Sequence, residues 1–198
     1  MRPFADDFAR VGLPRADCDA LRDALIAEHA RVVIEVGLAY GGSALAIGEA
    51  LLRNDGGRLL HVVIDPFQAS SYANVGWDAM CEAGLESTSR LIAEPSSIAL
   101  ARLVADGFVA DAAFVDGSHR FHEVVVDLYY LRKLVRPGGL VILDDTDVAS
   151  VGTALRYFEV NLDWKREPLA GRLVACRLPP ELVEPPFTDF RPFQPEML

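Results

Sequence analysis

The chain has 198 residues, 51% of them hydrophobic and 24% charged, enough for one sizeable core and too few for two comfortable domains. Its formal net charge of -10, with no Lys/Arg cluster, leaves no footprint for nucleic acid or an anionic membrane, so a small molecule is the expected partner. Cys18, Cys81 and Cys176 are odd in number and lack a CxxC pair, which sets aside a disulfide framework and a zinc site and fits a cytoplasmic protein.

The N-terminal MRPFADDFAR has no apolar stretch of the signal-peptide kind, and no later run approaches the roughly 18 apolar residues that span a bilayer. Residues Ala16 to Ala30 place Leu21, Leu25 and Ile26 at helical spacing, with Asp17 as the expected N-cap. This helix is expected to pack on the sheet or to roof the site. Val32 to Val36 reads as a buried strand that runs into a loop, Gly37 to Ser43, after which Leu45, Ile47 and Leu51 continue as a helix. A second strand, Leu59 to Ile64, ends on Asp65 and Pro66, because proline cannot continue a central strand. Phe67 to Gly76 reads as a long loop, Trp77 to Gly84 as a helix, Arg90 to Ala93 as a third strand, and Ser97 to Ala105 as a helix capped by Ser96.

The stretch from Asp111 to Asp147 organises the rest. Ala112 to Val115 is an apolar run ending on Asp116, and Leu140 to Leu143 is another ending on Asp144 and Asp145. Between them Val124, Leu128, Leu131, Leu134 and Val135 recur at helical spacing, and Pro137-Gly138-Gly139 is expected to end the helix in a turn. A strand, a helix and a strand in this order make a βαβ unit, which brings all three carboxylates to one edge of a parallel sheet. That edge is where open α/β sheets bind ligands. Val151 to Val160 reads as a further helix, with Asp147 as its cap, and Trp164 to Leu169 with Arg172 to Leu178 as a hairpin around Gly171. From Pro179 the Pro- and Phe-rich sequence leaves no room for a regular element. It is expected to lie extended across its own domain or a second subunit, burying Phe187, Phe190 and Phe193.

Two constellations carry chemistry. Glu35-x-Gly37-x-x-x-Gly41-x-Ser43 sits at a strand-to-helix turn, where glycines let a ligand approach the backbone and the helix supplies free N–H groups. Asp65 follows Gly41 by 24 positions, about the spacing at which an acid meets a ribose in nucleotide-binding folds. The glycine spacing differs from G-x-G-x-x-G, which weighs against a nicotinamide cofactor. Asp116, Asp144 and Asp145 form an oxygen-only set, which points to Mg²⁺ or a similar hard cation, with strand-end loop acids or caps as the plain alternative. His119, three residues after Asp116, is placed to reach a substrate bound there, whereas His122 reads as a helix-start residue; His29 and His61 carry no functional signal.

Taken together, VIEVGLAYGGSALAIGEAL, VIDPF, FVDGSHRFHEVVVDL and RPGGLVILDD resemble the motifs of class I S-adenosylmethionine-dependent methyltransferases, specifically the metal-dependent macrocin-type and catechol-type small-molecule O-methyltransferases. The resemblance spans Val32 to Asp147. It implies that Glu35, Gly37, Gly41 and Ser43 hold the methionine and ribose portions of the cofactor, that Asp65 accepts from the ribose hydroxyls, and that Ser96 touches the adenine. Pro95 stands where relatives carry an acid, and Ser118 where catechol-type enzymes carry a covering aromatic. Asp116, Asp144 and Asp145 match the metal ligands, Asp116 also bordering the cofactor, and His119 matches the catalytic base of the sugar-modifying enzymes.

The expected fold is therefore α/β: a single Rossmann-like domain over 1–178, with 1–30 as an N-terminal helical segment, and a Pro-rich extended tail over 179–198. Its sheet is expected to have seven mostly parallel strands, one antiparallel strand near the C-terminus, and helices on both faces. The expected function is methyl transfer from S-adenosylmethionine to a hydroxyl of a small molecule, assisted by Mg²⁺, with His119 as general base. An NAD(P)-dependent oxidoreductase and a non-catalytic cofactor-binding protein are the alternatives. Self-association is left open.

Overall fold

The computed structural model describes residues 11–54 and 56–193. The first ten residues of the expected N-terminal segment and the last five of the tail lie outside the described residues. In chain order the elements are α1 (Arg15–Ala27), β1 (Val32–Val36), α2 (Gly42–Arg53), β2 (Leu60–Ile64), α3 (Val75–Glu82), β3 (Ser89–Ile92), α4 (Ser96–Ala105) and β4 (Ala110–Val115). They continue with α5 (Phe121–Leu134), β5 (Val135–Leu143), α6 (Ala149–Leu162), β6 (Lys165–Glu167) and β7 (Val174–Arg177). The seven strands form one sheet in the order β3-β2-β1-β4-β5-β7-β6. Neighbours from β3 through β5 are parallel, and β7 runs antiparallel to both β5 and β6. The expected single reversal near the C-terminus is therefore present. Among the described residues, no helix is long and apolar enough to cross a membrane.

The strands are apolar on both faces because helices cover both. Ile34, Val62, Val115, Val141 and Leu143 pack against α4, α5 and α6 through Leu100, Leu128, Leu131, Leu155 and Phe158. On the other face Val33, Ala112, Phe114 and Ile142 meet Leu21 and Leu25 of α1 and Ile47 and Leu51 of α2. Each fully buried Leu or Ile contributes roughly 1.5–3 kcal/mol. Two residues break the apolar pattern at mid-sheet, Glu35 in β1 and His61 in β2, both fully buried. Val33 pairs with His61, so by strand alternation both polar residues point to the α2 face.

Three expected caps are not caps. Pro14 precedes α1 and Pro95 precedes α4, neither with a side-chain cap; Asp17 is a buried first-turn residue and Ser96 is the first residue of its helix. Asp147 is exposed, and α6 begins after Val148 without a side-chain cap. The turn expected at Pro137-Gly138-Gly139 lies inside β5. Ala110 pairs with Val135 and Ala112 with Leu140, so β5 carries extra residues in a bulge, and Gly138 adopts φ 68° to make it. A bulge frees proline from its missing donor, which is why the motif fits within a strand.

The tail lies against its own domain. Arg132 of α5, whose side chain is nearly buried, pairs with Glu184 at 2.5 Å and donates to the Val183 carbonyl at 2.7 Å. Asn161 of α6 bonds both the N–H and the C=O of Arg191, and Phe193 contacts Tyr157. The expected burial of the other aromatics does not occur, since Phe187 is 94% and Phe190 57% exposed. The tail is held by backbone and ionic contacts and by the Phe193–Tyr157 contact, with Phe187 and Phe190 left outside.

Candidate active site

The sheet order changes direction between β1 and β4, and the crevice at their carboxyl ends is the site such sheets offer a ligand. At Gly37 the backbone has φ 95°, and a Cβ there would sit 2.1 Å from the Asp116 carbonyl oxygen. Only glycine lets the β1 loop lie flat on the end of β4. Gly41, at φ 86°, ends the loop and starts α2, whose first-turn N–H groups have no intrahelical acceptor. Gly37, Leu38, Tyr40, Ser43 and Asp116 form one wall of a small cleft, and Gly12 and Leu13, just ahead of α1, form the other. Of the two places expected for the helix, the sheet is the one it takes, through Leu21 and Leu25; the residues before it, Gly12 and Leu13, line the cleft.

The structure changes the expected role of Glu35. It is fully buried beneath the loop, where Oε1 accepts from the Ser43 hydroxyl at 2.5 Å and Oε2 lies 2.9 Å from His61 Nε2. It therefore braces the loop from below, and Ser43 is the member of the pair that lines the cleft.

Asp65 is likewise more engaged than expected. Its Oδ2 accepts from the N–H groups of Leu38 and Ala39 at 3.1 and 3.0 Å and from Gln68 Nε2 at 2.9 Å, while Oδ1 accepts from Phe67 N–H at 2.7 Å. The carboxylate clasps the glycine loop to the following loop, and only Oδ1 has acceptor capacity to spare. Gln68, which belongs to no recognisable motif, also donates to the Ala39 carbonyl at 2.9 Å. Ser96 is absent from the cleft lining; its hydroxyl is bonded to Asp127 of α5.

The acidic edge is rearranged relative to expectation. Ligand atoms of Asp116, His119 and Asp145 lie within 4.8 Å of one another, with His119 Nε2 at 2.7 Å from Asp145 Oδ2. Asp145 reaches this position through a left-handed backbone, φ 53°, a conformation rare for a non-glycine residue and frequent at functional sites. Asp144 does not join them. Its Oδ2 accepts from Arg172 at 2.7 Å and its Oδ1 from the Asp145 N–H at 2.8 Å. Arg172, in the turn before β7, also reaches Asp17 of α1. No local signal marks Arg172, because its partner lies 28 positions away. Burial, then repulsion from Asp144, Asp145 and Glu35, pushes the Asp116 carboxyl up to about 8, with Arg172 opposing. Burial also raises Asp144. The two carboxylates Asp116 and Asp145, converging in this way, fit a divalent cation, and Mg²⁺ in particular is commonly held by one or two carboxylates plus waters and substrate oxygens. His122, facing solvent, stays outside the group.

A seven-stranded sheet of this order, with a glycine loop after β1 and an acid after β2, defines the α/β fold of S-adenosylmethionine-dependent methyltransferases. The model of the methyltransferase-domain family matches residues 34–146, and the chain belongs to that family. This decides among the alternatives: the protein is an S-adenosylmethionine-dependent methyltransferase. Among solved structures it is similar to a cofactor-bound protein from MTB, at 20% identity and TM-score 0.71, covering 87% of this chain and 83% of that one. It is also similar to the O-methyltransferase TomG from Streptomyces achromogenes, solved with SAM, at 18% identity, TM-score 0.71 and coverage of 88% and 84%. An O-methyltransferase from Bacillus cereus in complex with SAH matches at 15% identity, TM-score 0.67 and coverage of 87% and 86%. At these identities the likeness is one of fold. No match to a curated protein sequence was found.

Proposed function

We propose that the enzyme transfers the methyl group of S-adenosylmethionine to a hydroxyl of a small-molecule acceptor, with His119 as general base and a Mg²⁺-type cation at Asp116 and Asp145. The observation that carries this reading is the convergence of His119, Asp116 and Asp145 at the carboxyl edge of β4 and β5, next to a cleft that Asp116 shares with the glycine loop. The cofactor supplies an electrophilic methyl group on a cationic sulfur, and the cation, when bound, acidifies and orients the acceptor hydroxyl.

The chain's own residues do the rest. Gly37, Gly41 and Ser43 shape the wall against which the cofactor's methionine portion lies, the α2 N-terminus offers free N–H donors to its carboxylate, and Asp65 Oδ1 accepts from a ribose hydroxyl. Ser96, on the α4 side of the sheet, is assigned to the adenine end. Asp145 holds one imidazole nitrogen of His119, which fixes the ring and leaves Nδ1 to take the acceptor's proton as the oxygen attacks in line.

Calorimetric titration with S-adenosylmethionine, with and without Mg²⁺, followed by a methyl-acceptor screen, tests the reading. His119→Ala should lower kcat by about 10²- to 10⁴-fold with cofactor affinity near wild type, and His122→Ala should change it little. Activity that survives exhaustive EDTA treatment would remove the cation and leave the His119–Asp145 pair to act alone.

A further inference from the structure

We propose that His61 is a positioning residue for the cofactor, acting through Glu35 on Ser43, and so sets cofactor affinity from beneath the loop without touching the ligand. Three observations carry this. First, Glu35 and His61 are both fully buried, and they are the two polar side chains at mid-strand on the sheet face beneath α2. A carboxylate removed from water is costly unless its oxygens are partnered. Second, the Glu35 oxygens divide between two neighbours: Oε1 takes the Ser43 hydroxyl, and Oε2 has the His61 imidazole at 2.9 Å. Oε2 has no hydrogen bond of good geometry, and neither nitrogen of His61 has one, so the imidazole is the polar group available to Oε2. Third, the far end of the chain is functional, since Ser43 stands in the first turn of α2 and lines the cleft.

The direction of action follows from this geometry. His61 is fixed in β2, in register with Val33 two residues before Glu35 and with Ser89 of β3, so its ring is carried by a strand paired on both sides. With the ring 2.9 Å from Oε2, the carboxylate is confined at one end and its other oxygen accepts from Ser43. Remove the imidazole and the carboxylate is left buried with only Ser43 to satisfy it. It must then rotate or recruit water, and either change withdraws the fixed acceptor that holds the Ser43 hydroxyl and the first turn of α2. The inference rests on the cofactor lying in the Gly37–Ser43 cleft.

The test is a double-mutant cycle read by calorimetric titration with S-adenosylhomocysteine, accompanied by melting temperatures. His61→Leu should weaken binding by about tenfold, the scale of leaving a buried polar atom without its polar neighbour. His61→Gln, whose amide nitrogen reaches the place of Nε2, should stay within about threefold of wild type on the same scale. In a Ser43→Ala background the His61→Leu change should cost less than about twofold, because coupled residues are non-additive. Should His61→Leu fail to fold, His61→Asn, whose amide stops short of Oε2, takes its place in the cycle. Additive losses, or a loss in His61→Gln equal to that in His61→Leu, would overturn the inference, as would unchanged affinity in His61→Leu. A wild-type protein that does not bind S-adenosylhomocysteine would instead overturn the cofactor reading itself, and this inference with it.

Discussion

Asp127 shows how a single side chain contributes to the pH response of the fold. It lies in α5, 1% exposed, and burial, opposed by a hydrogen bond from Ser96 and aided by Glu123, pushes its carboxyl from 3.8 up to about 6. In the unfolded chain the group loses its proton near 3.8, whereas in the folded chain it keeps it to about 6. Stability therefore falls as pH rises through that window, and above it the folded state carries the full penalty of about 1.5–3 kcal/mol. Asp127→Asn should be more stable than wild type by that amount at pH 7 and no more stable at pH 3.5, as urea titrations at the two pH values would show. Asp65 makes the opposite case, a buried acid whose oxygens are well used. Asp65→Ala should weaken S-adenosylmethionine binding by roughly 1.5–3 kcal/mol. The melting temperature should fall as well, because the clasp on Leu38 and Ala39 is lost; a variant that binds weakly but melts unchanged would return Asp65 to a purely ligand-facing role.

At the scale of elements, what was legible in the sequence was whatever local pattern dictates. Val32 to Val36, Leu59 to Ile64 and Ala112 to Val115 are mostly apolar runs with turn residues after them, and the strands are Val32–Val36, Leu60–Ile64 and Ala110–Val115. The Gly37 loop was legible because positive φ and close backbone approach leave glycine as the residue that fits. Pro137-Gly138-Gly139 was misread because the same residues make a turn or a bulge, and only pairing with β4 decides between them. The site was half legible for a similar reason. Asp116, His119 and Asp145 come from two neighbouring strand ends, but the diversion of Asp144 depends on Arg172, supplied by the β6–β7 turn. Arg172→Met leaves Asp144 buried without its cation, and should cost about 1–3 kcal/mol, below the range for a fully buried pair because the arginine is half exposed. Adding Asp144→Asn should restore most of it in denaturant titrations. The tail behaves as an element too. Truncation after Leu178 strands the buried Arg132 guanidinium and removes the Asn161 contacts, a loss of roughly 2 kcal/mol that corresponds to about 4–8 °C in melting temperature for a chain of this size.

Across the whole molecule the two edges of the sheet have opposite tasks. The carboxyl edge is built from loops, whereas at the other edge Glu28 pairs with Arg136 and Arg177, Arg136 with Asp111, and Asp111 accepts from the N–H groups of Arg31 and Val32. That edge ties the helix before β1 to the strands of the second half. The same joint between halves governs assembly in time. Val33 of β1 pairs with Ala112 of β4, 79 positions later, and the Gly37 loop closes directly on the Asp116 backbone. Pairings that distant are slow, because chain closure is unfavourable until the contacts form. The β1–β2–β3 half can therefore gather early, but the cleft exists only after β4 has threaded in beside β1. During synthesis, ligand-binding competence should arrive with the second half of the chain and all at once. In refolding experiments, variants that keep only Trp77 or only Trp164 as fluorophore would report the two halves separately, and recovery of S-adenosylhomocysteine binding should track the slower of the two signals.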